Sequence, residues 1–384
     1  MKDGRFQGAL ERLPRLALLL PGMACLAAGI WGGLLRLPLQ LPLPTEHAYW
    51  LTFHGPLMVC GFLGTVIGLE RAVGLRRAST YLPPALTAAG AVPLLLGVAP
   101  QVPMFLLTAG SGLFVAVTLR VVQLQRALFT SVMALGAAAW CTGNILWLAD
   151  WPFPRVVPWW IAFLALTIVG ERLDLSRFQR PSPWARPLLL AGLGVFLGGV
   201  MLSALREVAG VRVTGAGMLG LAVWLGAFDL ARRTVRQPGL PRFMAVCLLT
   251  GYVWMGVSGA VLLLSGAMVS GTRYDAALHA FFVGFVFSMI FGHAPIIFPA
   301  VLNLRPAYRP VFYSHLALLH LGLLLRVVGN LADALPARQW GGALNALAVA
   351  LFLANTVGGF LFPPGARPLK PQPSPARGNP RASP

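Results

Sequence analysis

Six histidines carry most of the chemistry open to this chain: His47, His54, His279, His293, His315 and His320. All but His47 fall in apolar stretches long enough to cross a bilayer, where an ionisable side chain is costly and marks function by default. Imidazole coordinates metals through its lone pair and exchanges protons near neutral pH. A single intramembrane histidine also serves as a helix–helix hydrogen-bonding group, so arrangement decides between the two roles. His54 sits early in the second expected span, and His279 lies at a similar depth in the tenth. Both helices are expected to run from outside to inside, which brings the two imidazoles to the same outer layer of the membrane. Bis-histidine ligation of a haem iron requires this, with one nitrogen on each side of the porphyrin. At ~100° per residue, His54 shares its face with Met58, Gly61, Thr65 and Gly68. Small residues there leave room for a flat macrocycle, or simply let another helix approach.

His293 follows His279 by fourteen positions, which returns an α-helix to within ~40° of the same face, ~21 Å further along. One helix would then present imidazoles near both membrane surfaces. A second metal or haem site is expected from His293 with His315 or His320, both in the eleventh span. His315 and His320 differ by ~140° around their helix, so one ion would not take both without a bend. Arg326, the one arginine well inside a span, needs an anion. A haem propionate would supply it; snorkelling or pairing with Asp333 would satisfy it equally. His47, in TEHAYW, reads as an exposed loop residue.

The elements that position these residues are membrane helices. The chain is 57% hydrophobic and only 11% charged, with a mean hydropathy of +0.74. Soluble domains carry roughly 25% charged residues. The apolar runs are about the ~20 residues that a helix needs to cross ~30 Å of hydrocarbon. They lack the ~10-residue alternation of a β-barrel strand. Spans are expected near 16–34, 49–69, 82–99, 103–123, 128–149, 156–171, 187–205, 212–230, 243–266, 276–301, 310–330 and 340–362. Residues 1–15 form a cytoplasmic N-terminal segment, 16–362 the twelve-span domain, and 363–384 a disordered, basic, Pro-rich cytoplasmic tail.

The formal net charge of +19 does not indicate nucleic acid, because the basic residues cluster at the ends of apolar runs. With both termini cytoplasmic, only Arg36, Arg155, Arg206, Arg212, Arg273 and Arg338 fall outside, and every other Lys and Arg except Arg326 falls inside. This is the pattern of a multi-pass protein of a bacterial-type cytoplasmic (inner) membrane. The four cysteines, Cys25, Cys60, Cys141 and Cys247, form no C-x-x-C pair and read as buried small residues. Acids followed by arginines recur at cytoplasmic helix ends, in GLERAVGLRR (68–77), GERLDLSRF (170–178) and FDLARR (228–233). Cations suit a helix C-terminus; a proton path through Glu70 or Glu171 is the sharper reading.

HGPLMVCGF (54–62) resembles the second-helix motif of haem–copper oxidase subunit I, whose histidine ligates the low-spin haem. ALHAFFVGFVFSMIFGHAPIIF (277–298) resembles the tenth helix of that group, which supplies the opposite ligand. The resemblance implies an oxidase-like arrangement of about twelve helices, haem b on His54 and His279, Met58 and Gly61 beside it, and Arg326 near the propionates. It departs where the oxidases place copper-ligating histidines, because no histidine occurs between 55 and 278. The span plan is also similar to that of NnrS-type haem–copper membrane proteins, linked to nitric oxide stress. The expected function is electron transfer or a response to nitric oxide or another diatomic gas. A second haem or copper at His293, His315 and His320 and a separate electron donor or redox partner would accompany it. The alternative is a haem-free, proton-coupled secondary transporter, whose broken helices would fall at Gly215–Gly217–Gly220 or Gly341–Gly342.

Overall fold

The computed structural model describes residues 2–39, 48–176, 182–302 and 308–361, with side chains over 14–39, 49–176, 182–298 and 308–360. His47 and the expected tail 363–384 lie outside the described residues. Every regular element among those described is a helix. The principal ones are α1 Lys2–Leu35, α2 Tyr49–Leu75, α3 Leu82–Leu95, α4 Gln101–Leu124, α5 Leu128–Leu148 and α6 Phe153–Ser176. They continue with α7 Ala185–Leu205, α8 Glu207–Phe228, α9 Leu240–Ser265, α10 Thr272–Phe298, α11 Phe312–Leu331 and α12 Leu335–Leu361.

Among the described residues, 11 of these helices are long and apolar enough to cross a membrane. The protein is therefore an all-α, multi-pass membrane protein. Its outward faces expose Leu20, Phe105, Ile145, Val223 and Leu321, as a surface solvated by lipid should. The expected span 82–99 differs: α3 has 14 helical residues, ~21 Å against ~30 Å of hydrocarbon. Pro83 and Pro84 open it, and it ends before Gly97, whose φ of +69° no other residue type adopts easily.

Short connections make sequence neighbours pack as antiparallel pairs: α3 on α4, α4 on α5, α5 on α6, α7 on α8, α8 on α9 and α11 on α12. The glycines expected to break helices do not. Gly215 sits inside the continuous α8, where a Cβ would come 2.5 Å from the Gly259 carbonyl oxygen of α9. Gly341 sits inside α12, where a Cβ would come 2.5 Å from the Arg326 backbone nitrogen of α11. Both are points of close helix approach, and the transporter reading loses its candidate hinges.

Two polar contacts fix the bundle where van der Waals packing alone would leave it free to slide. The fully buried Asn144 of α5 accepts from Trp160 Nε1 of α6 at 3.0 Å and from Cys60 Sγ of α2 at 3.3 Å. Its own amide donates to Ser111 Oγ of α4 at 3.1 Å. At the opposite end of α6, Arg172 makes a two-point pair with Asp229, at 2.8 and 2.9 Å, tying α6 to the end of α8. Replacing Asn144 with alanine strands the indole N–H in a site with no water. We expect Asn144→Ala to lower stability by about 1–2 kcal/mol, read as a lower unfolding midpoint of the detergent-solubilised protein.

Candidate functional site

The local sequence of α2 bends it at His54. Pro56 has no N–H to donate and its ring crowds the preceding turn. The backbone answers at Phe53, which leaves the helical region (φ −101°, ψ 17°). A π-helical stretch, Leu57–Gly64, follows directly. In α10 the same thing happens after the other histidine: α-helix runs to His279 and π-helix covers Ala280–Phe287. Wide turns of this kind are uncommon and gather at functional sites. Tyr49, Phe53, Trp147, Phe153 and Trp160 form a connected aromatic cluster that holds the outer part of α2 against α5 and α6.

α2 and α10 touch through the 65–75 and 288–302 portions of the two helices. At the histidine end a cavity of about 480 Å³ lies between them. His54, Met58, His279, Arg36 and Arg326 all line it, among apolar walls that include Val59, Phe153, Trp160, Leu278, Phe282 and Val349. Helix α1 reaches this wall through glycines. A Cβ on Gly29 would come 2.6 Å from Met58 Sδ, and one on Gly32 would overlap the Trp50 carbonyl.

The hydrogen bonds decide which imidazole nitrogens are free. His279 Nδ1 donates to the Asp275 carbonyl oxygen at 2.8 Å and lies 3.1 Å from Asp275 Oδ1. A carbonyl only accepts, so the proton sits on Nδ1 and Nε2 keeps its lone pair. His54 Nδ1 is buried and makes no hydrogen bond to a described residue. Arg326 has its anion within the protein: Asp275 takes Nε at 2.9 Å and Nη2 at 2.7 Å. Asn330 Nδ2 donates to the same carboxylate at 2.5 Å. Neither Asp333 nor snorkelling is involved. Arg36 donates to the Leu51 carbonyl at 3.2 Å and has no carboxylate partner among the described residues. Asp275 escaped the sequence reading because the tenth span was expected to start at 276; the four-residue spacing to His279 was its only signal.

The other expected site residues go elsewhere. Gly61 does not line the cavity; a Cβ there would come 2.6 Å from Cys25 Sγ of α1, so it serves helix approach. The π-helical stretch turns α2 away from the face that the 100° rule assigns to Gly61. His293, His315 and His320 are not brought together. His315 is fully buried among Phe243, Phe291, Phe312 and Phe352, with Asn355 Nδ2 3.1 Å from its Nδ1. Trp254 Nε1 donates to His320 Nδ1 at 2.9 Å, which occupies that lone pair. Neither lines the second cavity, where His293 lies with Glu70 and Glu171. No group of three His, Cys, Asp or Glu among the described residues stands close enough to hold a metal ion.

Residues 15–360 match the sequence family described as Domain of unknown function (DUF8744). The chain belongs to this family. The match spans both cavities and all the side chains named above. No curated protein matches the chain.

The Asp275–Arg326 pair is the point of greatest electrostatic consequence in the site. Removing one partner leaves the other charge unpaired inside the bundle. We expect Asp275→Ala and Arg326→Ala each to cost about 3–5 kcal/mol. The double variant should cost less than the sum, a coupling read from unfolding midpoints in a double-mutant cycle.

Proposed function

We propose that this protein is an integral-membrane, cytochrome b-like haem protein, and that His54 and His279 are the two axial ligands. The observation that carries the proposal is the sharing of one apolar-walled cavity by these two imidazoles, on helices that touch through their 65–75 and 288–302 portions. Its volume falls in the ~300–1,000 Å³ range of small-molecule and cofactor sites. The donor set fits haem. His279 keeps Nε2 free because Asp275 holds its Nδ1–H, and a hydrogen-bonded Nδ1 orients a ligating imidazole and raises its basicity. His54 carries a buried, unpartnered Nδ1. Arg36 and Arg326 line the cavity and suit two acidic substituents. Arg326 Nη1 is the guanidinium nitrogen not used by Asp275, and it makes no hydrogen bond to a described residue.

Haem b held by His54 and His279 would supply one-electron transfer, and a nitric oxide or diatomic-gas response would need one of these residues to give way. The chain's residues hold the group, exclude water from it with Phe153, Trp160 and Phe282, and neutralise its acidic edge. An arrangement like haem–copper oxidase subunit I or the NnrS type fits the pairing of the second and tenth helices. We assign twelve crossings, counting α3. It runs along α2 from Pro84, beside Gly68, to Leu95, whose carbonyl accepts from Trp50 Nε1 at 2.9 Å. It therefore lies beside the stretch of α2 between Trp50 and Gly68. The bias of the loop arginines supports cytoplasmic N- and C-termini, as in a bacterial-type inner membrane.

Protein purified from haem-replete cells should show a reduced b-type spectrum with about one haem per chain. His54→Ala and His279→Ala should abolish it, while His315→Ala and His320→Gln should keep it. A colourless wild-type preparation defeats the proposal.

A further inference from the structure

The second cavity lies toward the other end of α2 and α10. It holds about 130 Å³ and is open on one side. Helices α1, α2, α6, α10 and α12 line it with Met23, Val66, Leu164, Ile290 and Phe352 among others. Three ionisable residues interrupt this apolar wall: Glu70 and Glu171, which end neighbouring helices, and His293. Their hydrogen-bonding character is one-sided. His293 Nδ1 donates to the Met289 carbonyl at 2.8 Å, so Nε2 is the acceptor, and it is buried without a partner. Glu70 makes no hydrogen bond to a described residue. Among the described residues, Glu171 has only the 4.0 Å approach of Arg71, whose Nη2 also donates to Met133 Sδ at 3.1 Å. Arg172 is held by Asp229. Two carboxylates and an imidazole lone pair thus face an apolar slot with one partly committed cation nearby.

A ligand for such a place must be apolar, uncharged and equipped with hydroxyl donors. A phosphate or carboxylate headgroup would lie beside two acidic side chains with a single partly committed cation to offset it. At about 130 Å³ the slot is slightly smaller than the ~150 Å³ apolar cavity that holds a benzene ring, so a substituted ring enters it with its substituents leading out through the open side. We propose that the cavity binds the hydroquinone ring of an isoprenoid quinol from the bilayer, with Glu70, Glu171 and His293 Nε2 as acceptors for its hydroxyl groups. Phe287 lines both this cavity and the one between His54 and His279. The binding proposal stands on its own cavity and holds whether or not the first cavity takes haem.

The test is calorimetric titration of the full-length protein in nanodiscs with decyl-ubiquinol and, separately, decyl-ubiquinone. The expected result is saturable binding, at least about tenfold tighter for the reduced form, which alone carries two donors. His293→Leu and Glu171→Gln should each weaken quinol binding by about tenfold or more. Val66→Phe, which fills the slot without touching a polar group, should block it. Thermal midpoints of the same samples separate loss of binding from loss of fold. The haem-site variant His54→Ala should bind quinol like the wild type, so failure of the haem reading is seen in the spectrum and failure of this one in the titration. Absence of saturable binding in folded wild type, or affinities unmoved by both His293→Leu and Val66→Phe, overturns the proposal.

Discussion

The end of the bundle that holds His54 and His279 depends on one charge pair. A guanidinium and a carboxylate inside lipid are each expensive, and their mutual satisfaction must be near complete to be tolerated. Asp275 and Arg326 reach that condition with two hydrogen bonds between them and a third from Asn330. Because Asp275 also lies against His279 Nδ1, the pair that ties α10 to α11 fixes the tautomer of the imidazole facing the cavity. The close approach of α12 at Gly341 packs against the Arg326 backbone and holds α11 in place beside the pair. Electrostatics, helix packing and the chemistry of the site are therefore one arrangement.

The π-helical stretches supply the second constraint. Each begins within three residues of a histidine that lines the large cavity, and each covers eight residues. A wider turn shifts every later side chain relative to an α-helical count. Met58, near the start of the first stretch, still faces the cavity with His54, whereas Gly61, further along it, faces α1. In α10 the stretch lies between His279 and His293 and contributes Phe287 to the walls of both cavities. Two helices with the same irregularity thus frame one chamber and begin the next.

Helix positions were legible because lipid imposes a length and a composition on each segment, and eleven of the twelve expected spans have a helix long and apolar enough to cross. α3 was overestimated because hydropathy counts the apolar residues 96–99, which the backbone spends on a turn at Gly97. His54, Met58, His279 and Arg326 line one cavity, and membrane depth and the helical face of His54 had grouped them in the sequence. Asp275 was not, because polarity at a span edge looks like a loop until the helix is seen to start at Thr272. The fates of His315 and His320 were also hidden. A phenylalanine enclosure and an indole donor come from residues far away in sequence, Phe243 and Trp254, which no spacing rule connects to them.

For three of the described histidines, the bond at Nδ1 separates two classes. His279 and His293 give their Nδ1–H to the carbonyl four residues earlier, so the nitrogen remote from the backbone is an acceptor. His320 receives an N–H at Nδ1, which forces its proton onto Nε2 and removes its lone pair from ligation. Both acceptor rings line cavities, and His320 lines neither. The two imidazoles of the larger cavity are also unequal. Asp275 anchors the ring of His279, while His54 has no hydrogen bond at Nδ1 to restrain its rotation. On the haem reading, the ligand with the second contact is the firmer one. A coordination position that opens to a small gas would then open on the α2 side, where His54 stands next to the Phe53 kink.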